Sequence, residues 1–310
     1  VLDTYYPKPL QPGNPDGTNN YLRPELMEEA DYLSNTIRVD HNLTSSNRLF
    51  ARTSWYDRDS FYNNYFDNLA TGQAFWFISR AAVLDDVWTL SPTMVLNLRY
   101  GYNRFIRRQD GNPAANGFDL TTLGFPASFA NAIDPAVRRF PRFDISGYQG
   151  TGFTGENRPN DTHNFVGIVT KVFARHTIKT GTEFRAYRET SQLYSNDQSG
   201  RFIFDATYTR GPLDNSPTAP NQLGQSVAAF LLGLPTSSSY VAINDSYAEQ
   251  SLSWAWFFQD DWKVSRRLTL NLGIRWEWDG PLTERFNRSV RRFDASYTQP
   301  FEAAARAAYA

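Results

Sequence analysis

The sequence predicts an all-β chain, an antiparallel up-and-down transmembrane β-barrel segment of about eight membrane strands in four hairpins. Three observations predict it. Apolar residues recur with period two wherever any period is present. Aromatic residues make up 15% of the 310 residues, with 8 Trp, 17 Tyr and 23 Phe. Short turns alternate with long Asn/Gly/Pro/Asp-rich connections, the asymmetry of a barrel with short periplasmic turns and long extracellular loops.

Strands are expected near 34–41, 48–58, 76–89, 94–106, 163–173, 176–188, 250–263 and 268–280. The alternation is clearest at the end. Leu268, Leu270, Leu272, Ile274, Trp276 and Trp278 share one face, and Thr269, Asn271, Gly273, Arg275 and Glu277 the other. Met94, Leu96, Leu98, Tyr100 and Tyr102 oppose Asn97, Arg99, Gly101 and Asn103 in the same way. Val166, Ile168, Thr170 and Val172 form a face against Gly167 and Lys171, and Ile178, Thr180, Phe184 and Ala186 oppose Lys179, Gly181, Glu183 and Arg185.

Short turns at 42–47, 91–93, 174–175 and 265–267 close the hairpins. Between hairpins run long loops, 59–74, 107–161 and 189–249, expected to be extracellular, and residues 1–30 are read as a further loop. Phe202–Asp205 and Tyr240–Ile243 look strand-like, but parity excludes both from the membrane. They are read as a β-extension within the last loop, beside a short helix around Gln225–Leu232. Phe301–Ala310 is Ala-rich with helical propensity, and neither chain end is expected to close a barrel. The whole chain, 1–310, is taken as part of one barrel domain.

Composition excludes several classes. A formal charge of −1 argues against a nucleic-acid partner, which would call for a basic surplus. With no cysteine there is no disulfide framework or thiolate site. Mean hydropathy is −0.53, and no apolar run approaches the ~20 residues of a membrane helix. Val1–Leu10 carries no signal-peptide pattern. His41, His163 and His176 lack zinc-site spacing, and no metal or cofactor is expected. Gly150, Gly152 and Gly155 spell GxGxxG in mid-loop, outside the strand–helix setting a dinucleotide site requires. Asp260 and Asp261 point to opposite faces of a strand, and Glu183 and Glu277 could meet only if their strands were close, so no catalytic carboxylate pair is assigned.

A family resemblance centres on Phe257–Tyr297. Phe257-Phe258-Gln259-Asp260-Asp261-Trp262-Lys263-Val264, then Arg267-Leu268-Thr269-Leu270-Asn271-Leu272-Gly273-Ile274-Arg275, resembles a strand pair of TonB-dependent outer-membrane receptors, particularly the Oar-like branch. Trp276–Pro281, Glu284, Arg285 and Asn287 are similar to the same branch, with weaker echoes at His176–Arg185, Phe230–Pro235 and Tyr6–Tyr21. The resemblance implies a piece of a larger barrel of about 22 strands in the outer membrane of a Gram-negative bacterium. Its partners would be outer-membrane lipid, its own plug domain, TonB and an extracellular ligand. The chain shows neither the plug nor a TonB box.

On this reading the water-facing side carries Arg52, Asn97, Arg99, Lys179, Glu183, Arg185, Gln259, Asp261, Asn271, Arg275 and Glu277, engaged first in mutual ion pairing and plug contact. Trp254, Trp256, Trp276 and Trp278 would face lipid, and Tyr56, Phe61, Tyr62, Tyr65 and Phe66 are candidates for ligand capture in loops. Catalysis is not expected. Two alternatives carry different structural demands. A small closed barrel serving as adhesin or anchor needs its first and last strands to pair. A soluble β-sandwich carbohydrate-binding protein needs the Leu268–Trp278 face buried in a core.

Overall fold

Period-two alternation over long segments produces one continuous antiparallel sheet. The computed structural model describes residues 1–14, 19–22, 29–195, 197, 199–210, 222–241, 246–289, 294, 296–297, 300 and 302–309. In chain order the strands are β1 (Glu29–Thr44), β2 (Asn47–Tyr62), β3 (Gln73–Ser91), β4 (Met94–Gly111), β5 (Arg142–Ile145), β6 (Gly155–Phe173), β7 (His176–Ser195), β8 (Arg201–Phe204), β9 (Ser246–Lys263), β10 (Thr269–Asp279) and β11 (Thr283–Glu284). The helices are α1 (Leu2–Tyr5), α2 (Ala127–Ala132), α3 (Gln222–Leu231) and α4 (Glu302–Tyr309). The sheet order is β1-β2-β3-β4-β6-β7-β9-β10, every neighbouring pair antiparallel. The last strand breaks at Gly280 and resumes as β11, still against β9.

All eight expected strands are present. Those from β1 to β9 run further toward the loops than the apolar pattern indicates, so the long connections shrink to 63–72, 112–154 and 196–245. The extra residues, such as Asn157 and Asn160 on β6 or Glu189, Thr190 and Ser191 on β7, are polar on both faces. Backbone pairing continues there without an apolar side, so alternation carries no trace of it.

Residues directly opposite across an antiparallel pair share a face, and the register therefore assigns sides to the whole sheet. One row reads Val39, Ala51, Leu84, Tyr100, Phe165, Phe184, Trp254 and Trp278, apolar through all eight strands. The adjacent row, one residue closer to the short turns, reads Asp40, Phe50, Asp85, Arg99, Val166, Glu183, Ala255 and Glu277. This register corrects one expectation. Val166, Ile168, Thr170 and Val172 lie on the polar side, while Phe165, Val169 and Phe173 take the apolar side. β6 is apolar on both faces, so its phase is set by its neighbours and not by its own pattern.

The apolar face is uncovered, with Leu272 53% and Trp276 51% exposed, and among the described residues no second sheet packs on it. The sandwich alternative fails on that point. β1 and β10 occupy opposite edges and are not paired with each other, so the closed small barrel is not formed.

The packed core lies elsewhere. Phe140, Phe143, Ile145 and Phe204, with Ala70, Ala115 and Ala229, form a buried cluster joined by Tyr5, Tyr6, Phe118, Phe125, Phe202 and Phe230. These residues come from the N-terminal segment and all three long connections, which thus fold into a single cap at the loop end. The long connections carry more structure than the β-extension and short helix expected in the last of them. Residues 1–30, read as loop, contain α1 and the first residues of β1. Phe202–Asp205 corresponds to β8, which pairs in parallel with β5, a strand the sequence did not signal. Tyr240 bridges Arg201 as expected, while Ala242 and Ile243 lie outside the described residues. The helix expected at Gln225–Leu232 is α3, and that at Phe301–Ala310 is α4.

Candidate functional site

The wall of the sheet is a two-sided device. All eleven residues assigned to the water-facing side lie on the one polar face. Many of them neutralise one another. Asp85, buried, accepts from the Asn97 amide at 2.9 Å and from the Arg99 guanidinium. Glu183 accepts from Asn164 Nδ2 at 2.8 Å and from Arg185, with Arg275 3.8 Å from its second oxygen. Arg275 also holds Glu277, and the Gln259 amide donates to Asp261 at 3.3 Å. Arg52, Lys179 and Asn271 complete the face. Glu183 and Glu277 both sit opposite Ala255, so the sheet does bring them together, about 10 Å apart across two strand spacings. Each is occupied by arginine, which suits a lining better than an acid–base pair.

At the loop end of this face Tyr62, Phe75, Phe77 and Phe105 stack in series, with ring centroids 5.0, 6.5 and 6.2 Å apart. Phe153 reaches down from the cap to within 5.9 Å of Phe75. Tyr56 and Tyr62 stand on this polar face and Phe61 on the opposite one, all three within β2 and not in a loop. Of the five aromatics proposed for loops, only Tyr65 and Phe66 are in one.

Trp254, Trp256, Trp276 and Trp278 cluster on the apolar face, the rings of Trp254 and Trp276 meeting edge-on at 6.1 Å. From Met94 to Tyr102 this face of β4 is uncharged, a band about 20 Å tall for strands tilted about 45°, and Arg104 marks its loop-side end. His176 bonds Asp260 at 2.6 Å and stacks on Trp262 at its turn-side border, and His163 bonds Tyr100 at 2.8 Å. Variants retaining a single tryptophan at 254, 256, 276 or 278 are expected to be strongly quenched by brominated acyl chains once inserted in lipid. Quenching no greater than that of a tryptophan placed at position 183 would remove the lipid-facing assignment.

The cap holds a cavity that several segments build together. Tyr6, Tyr21, Tyr65, Phe66 and Tyr148 surround a cavity of about 540 Å³, closed below by Ile145 and by Val227 of α3. The Tyr6 ring lies 4.9 Å from Phe66, and Tyr21 meets Phe66 edge-on at 6.2 Å. The Tyr6 hydroxyl is buried without a hydrogen-bond partner among the described residues. Burial, and then the Asp144 carboxylate, push its phenol above the ordinary range. Tyr6, Tyr21 and Tyr148 escaped the sequence reading because they are scattered over segments that only the cap assembles.

Ion pairs fix the cap to itself and to the wall. Asp110, at the end of β4, is gripped by Arg139 through two bonds of 3.0 and 2.8 Å. Asp144 binds both Arg142 and Arg201. Asp197 accepts from the Tyr240 hydroxyl at 2.7 Å, which raises the Tyr240 phenol above its usual range. The GxGxxG glycines find a structural use here. Gly152 has φ +66 and donates its N–H to the Ala70 carbonyl at 2.8 Å, with backbone atoms of residues 140–142 only 3.0 Å from where a Cβ would stand.

An open wall with one predominantly apolar face, one ion-paired face and a cap at the loop end defines a segment of a membrane-spanning β-barrel. The chain matches the outer membrane beta barrel domain family over residues 1–309 and belongs to it. Its place is the bacterial outer membrane. It is also similar to the crystal structure of the outer membrane transporter YddB from Escherichia coli, with a TM-score of 0.49 and 9% identity, over 83% of this chain. The chain spans 29% of that transporter's length. Comparison with curated protein sequences gives no match.

Proposed function

We propose that the chain is part of the wall and the extracellular cap of a TonB-dependent receptor, of the Oar-like kind, that takes up a ligand with energy transmitted from the inner membrane. The observation that carries this reading is the asymmetry of the wall. One end has only short turns, while at the other three long connections and the N-terminal segment pack into a cap around an aromatic cavity. Such a design captures outside and presents its ion-paired face to a plug within. The role is non-catalytic, and the partners are outer-membrane lipid, the plug, TonB and an extracellular ligand.

The test compares cells with and without the complete receptor in a defined nutrient mixture. At least one component should be depleted only by cells that carry it. Depletion should stop when TonB is removed or the proton gradient is collapsed. Depletion that continues without TonB sinks the reading.

A further inference from the structure

We propose that the cap cavity binds an uncharged oligosaccharide, which names a ligand class for the receptor reading above and rests on it only for import. None of the described residues lining the cavity is Asp, Glu, Lys, Arg or His, in a chain that is 20% charged. Asp144, whose carboxylate acts on the Tyr6 phenol, is already held by Arg142 and Arg201, so an anionic chelate or a cation there would lose its hydration without a free opposite charge among the described lining residues to replace it. The lining instead combines tyrosine rings with the amides of Asn19, Asn20 and Gln149. Flat rings accept the C–H faces of sugars, and amides and phenols supply hydrogen bonds for their hydroxyls. The Tyr6 hydroxyl is buried and without a hydrogen-bond partner among the described residues, and it belongs to a side chain that lines the cavity, so a sugar hydroxyl reaching it would complete that bond. A purely apolar guest would leave it unsatisfied. The volume, about 540 Å³, lies within the range of small-ligand sites, about 300–1,000 Å³.

The test uses the complete protein in detergent micelles, titrated calorimetrically with maltohexaose, cellohexaose, xylohexaose, hexagalacturonate and a neutral proline-rich peptide. At least one neutral hexasaccharide should bind, and hexagalacturonate at least tenfold more weakly. Tyr148 is 43% exposed, so Tyr148→Ala removes a stacking face without opening a core. It should weaken binding at least tenfold, and Tyr6→Phe about fivefold, consistent with one lost hydrogen bond. Unchanged heat-modifiable gel mobility serves as the control for folding. The proposal is overturned if no neutral sugar binds, if the acidic sugar or the peptide binds as well as the neutral ones, or if neither variant changes affinity. Micellar binding requires no TonB. Sugar binding with TonB-independent depletion defeats the receptor reading alone, and TonB-dependent depletion without sugar binding defeats this inference alone.

Discussion

Gly181→Val is expected to destabilise the wall by about 3 kcal/mol or more. A Cβ at this position in β7 would stand 2.7 Å from the Gly167 carbonyl oxygen, 2.8 Å from the Phe257 ring and 3.0 Å from Ile168. The carbonyl belongs to the neighbouring strand and cannot yield without disturbing the ladder. The Phe257 ring lies over the bare glycine, a packing that depends on the missing side chain. Gly167 is the matched control. Its added Cβ would meet only Leu98 at 3.5 Å and Phe165 at 3.8 Å, which is ordinary contact, so Gly167→Ala should fold normally. Urea unfolding followed by heat-modifiable gel mobility reads both variants. Equal midpoints for the two would refute the argument.

Arg139→Met is expected to cost the cap about 3–5 kcal/mol, because it strands the buried Asp110 carboxylate at the top of β4. The two side chains are only 10% and 5% exposed. The guanidinium also satisfies the carbonyls of Ala136 and Arg138, at 3.1 and 2.8 Å. Limited proteolysis should therefore cut within 112–154 at least tenfold faster, while the sheet keeps its gel mobility. Adding Asp110→Leu should recover a substantial part of the loss, since an apolar pair avoids the desolvation of an unmatched charge. Cleavage at the original rate in the single variant would show that the pair does not anchor the cap.

Strand existence was legible because a membrane wall must keep one face apolar and the other wet, and Leu268–Trp278 records that demand residue by residue. Assignments failed where the demand lapses. Above the bilayer no face needs to be apolar, so β6 and β7 run on unseen through residues 155–162 and 189–195. Within β6 both faces are apolar, so Val166 and Phe165 could not be told apart without partners. Tyr65 and Phe66 were legible as aromatics in a loop. The cavity they help to line was not, because its other walls come from positions 6, 21 and 148, and no local pattern links them. β5 was invisible for a similar reason, being four residues paired in parallel to a segment 59 positions away.

β7 is 20 residues long, about 66 Å at 3.3 Å per residue, whereas about ten tilted residues suffice to cross the bilayer. The surplus lies wholly on the loop side. The wall is therefore a turret that lifts its crown some 25 Å clear of the hydrocarbon for strands tilted about 40°. At that height the crown is open to bulky visitors, such as long polymers, immunoglobulins and phage fibres.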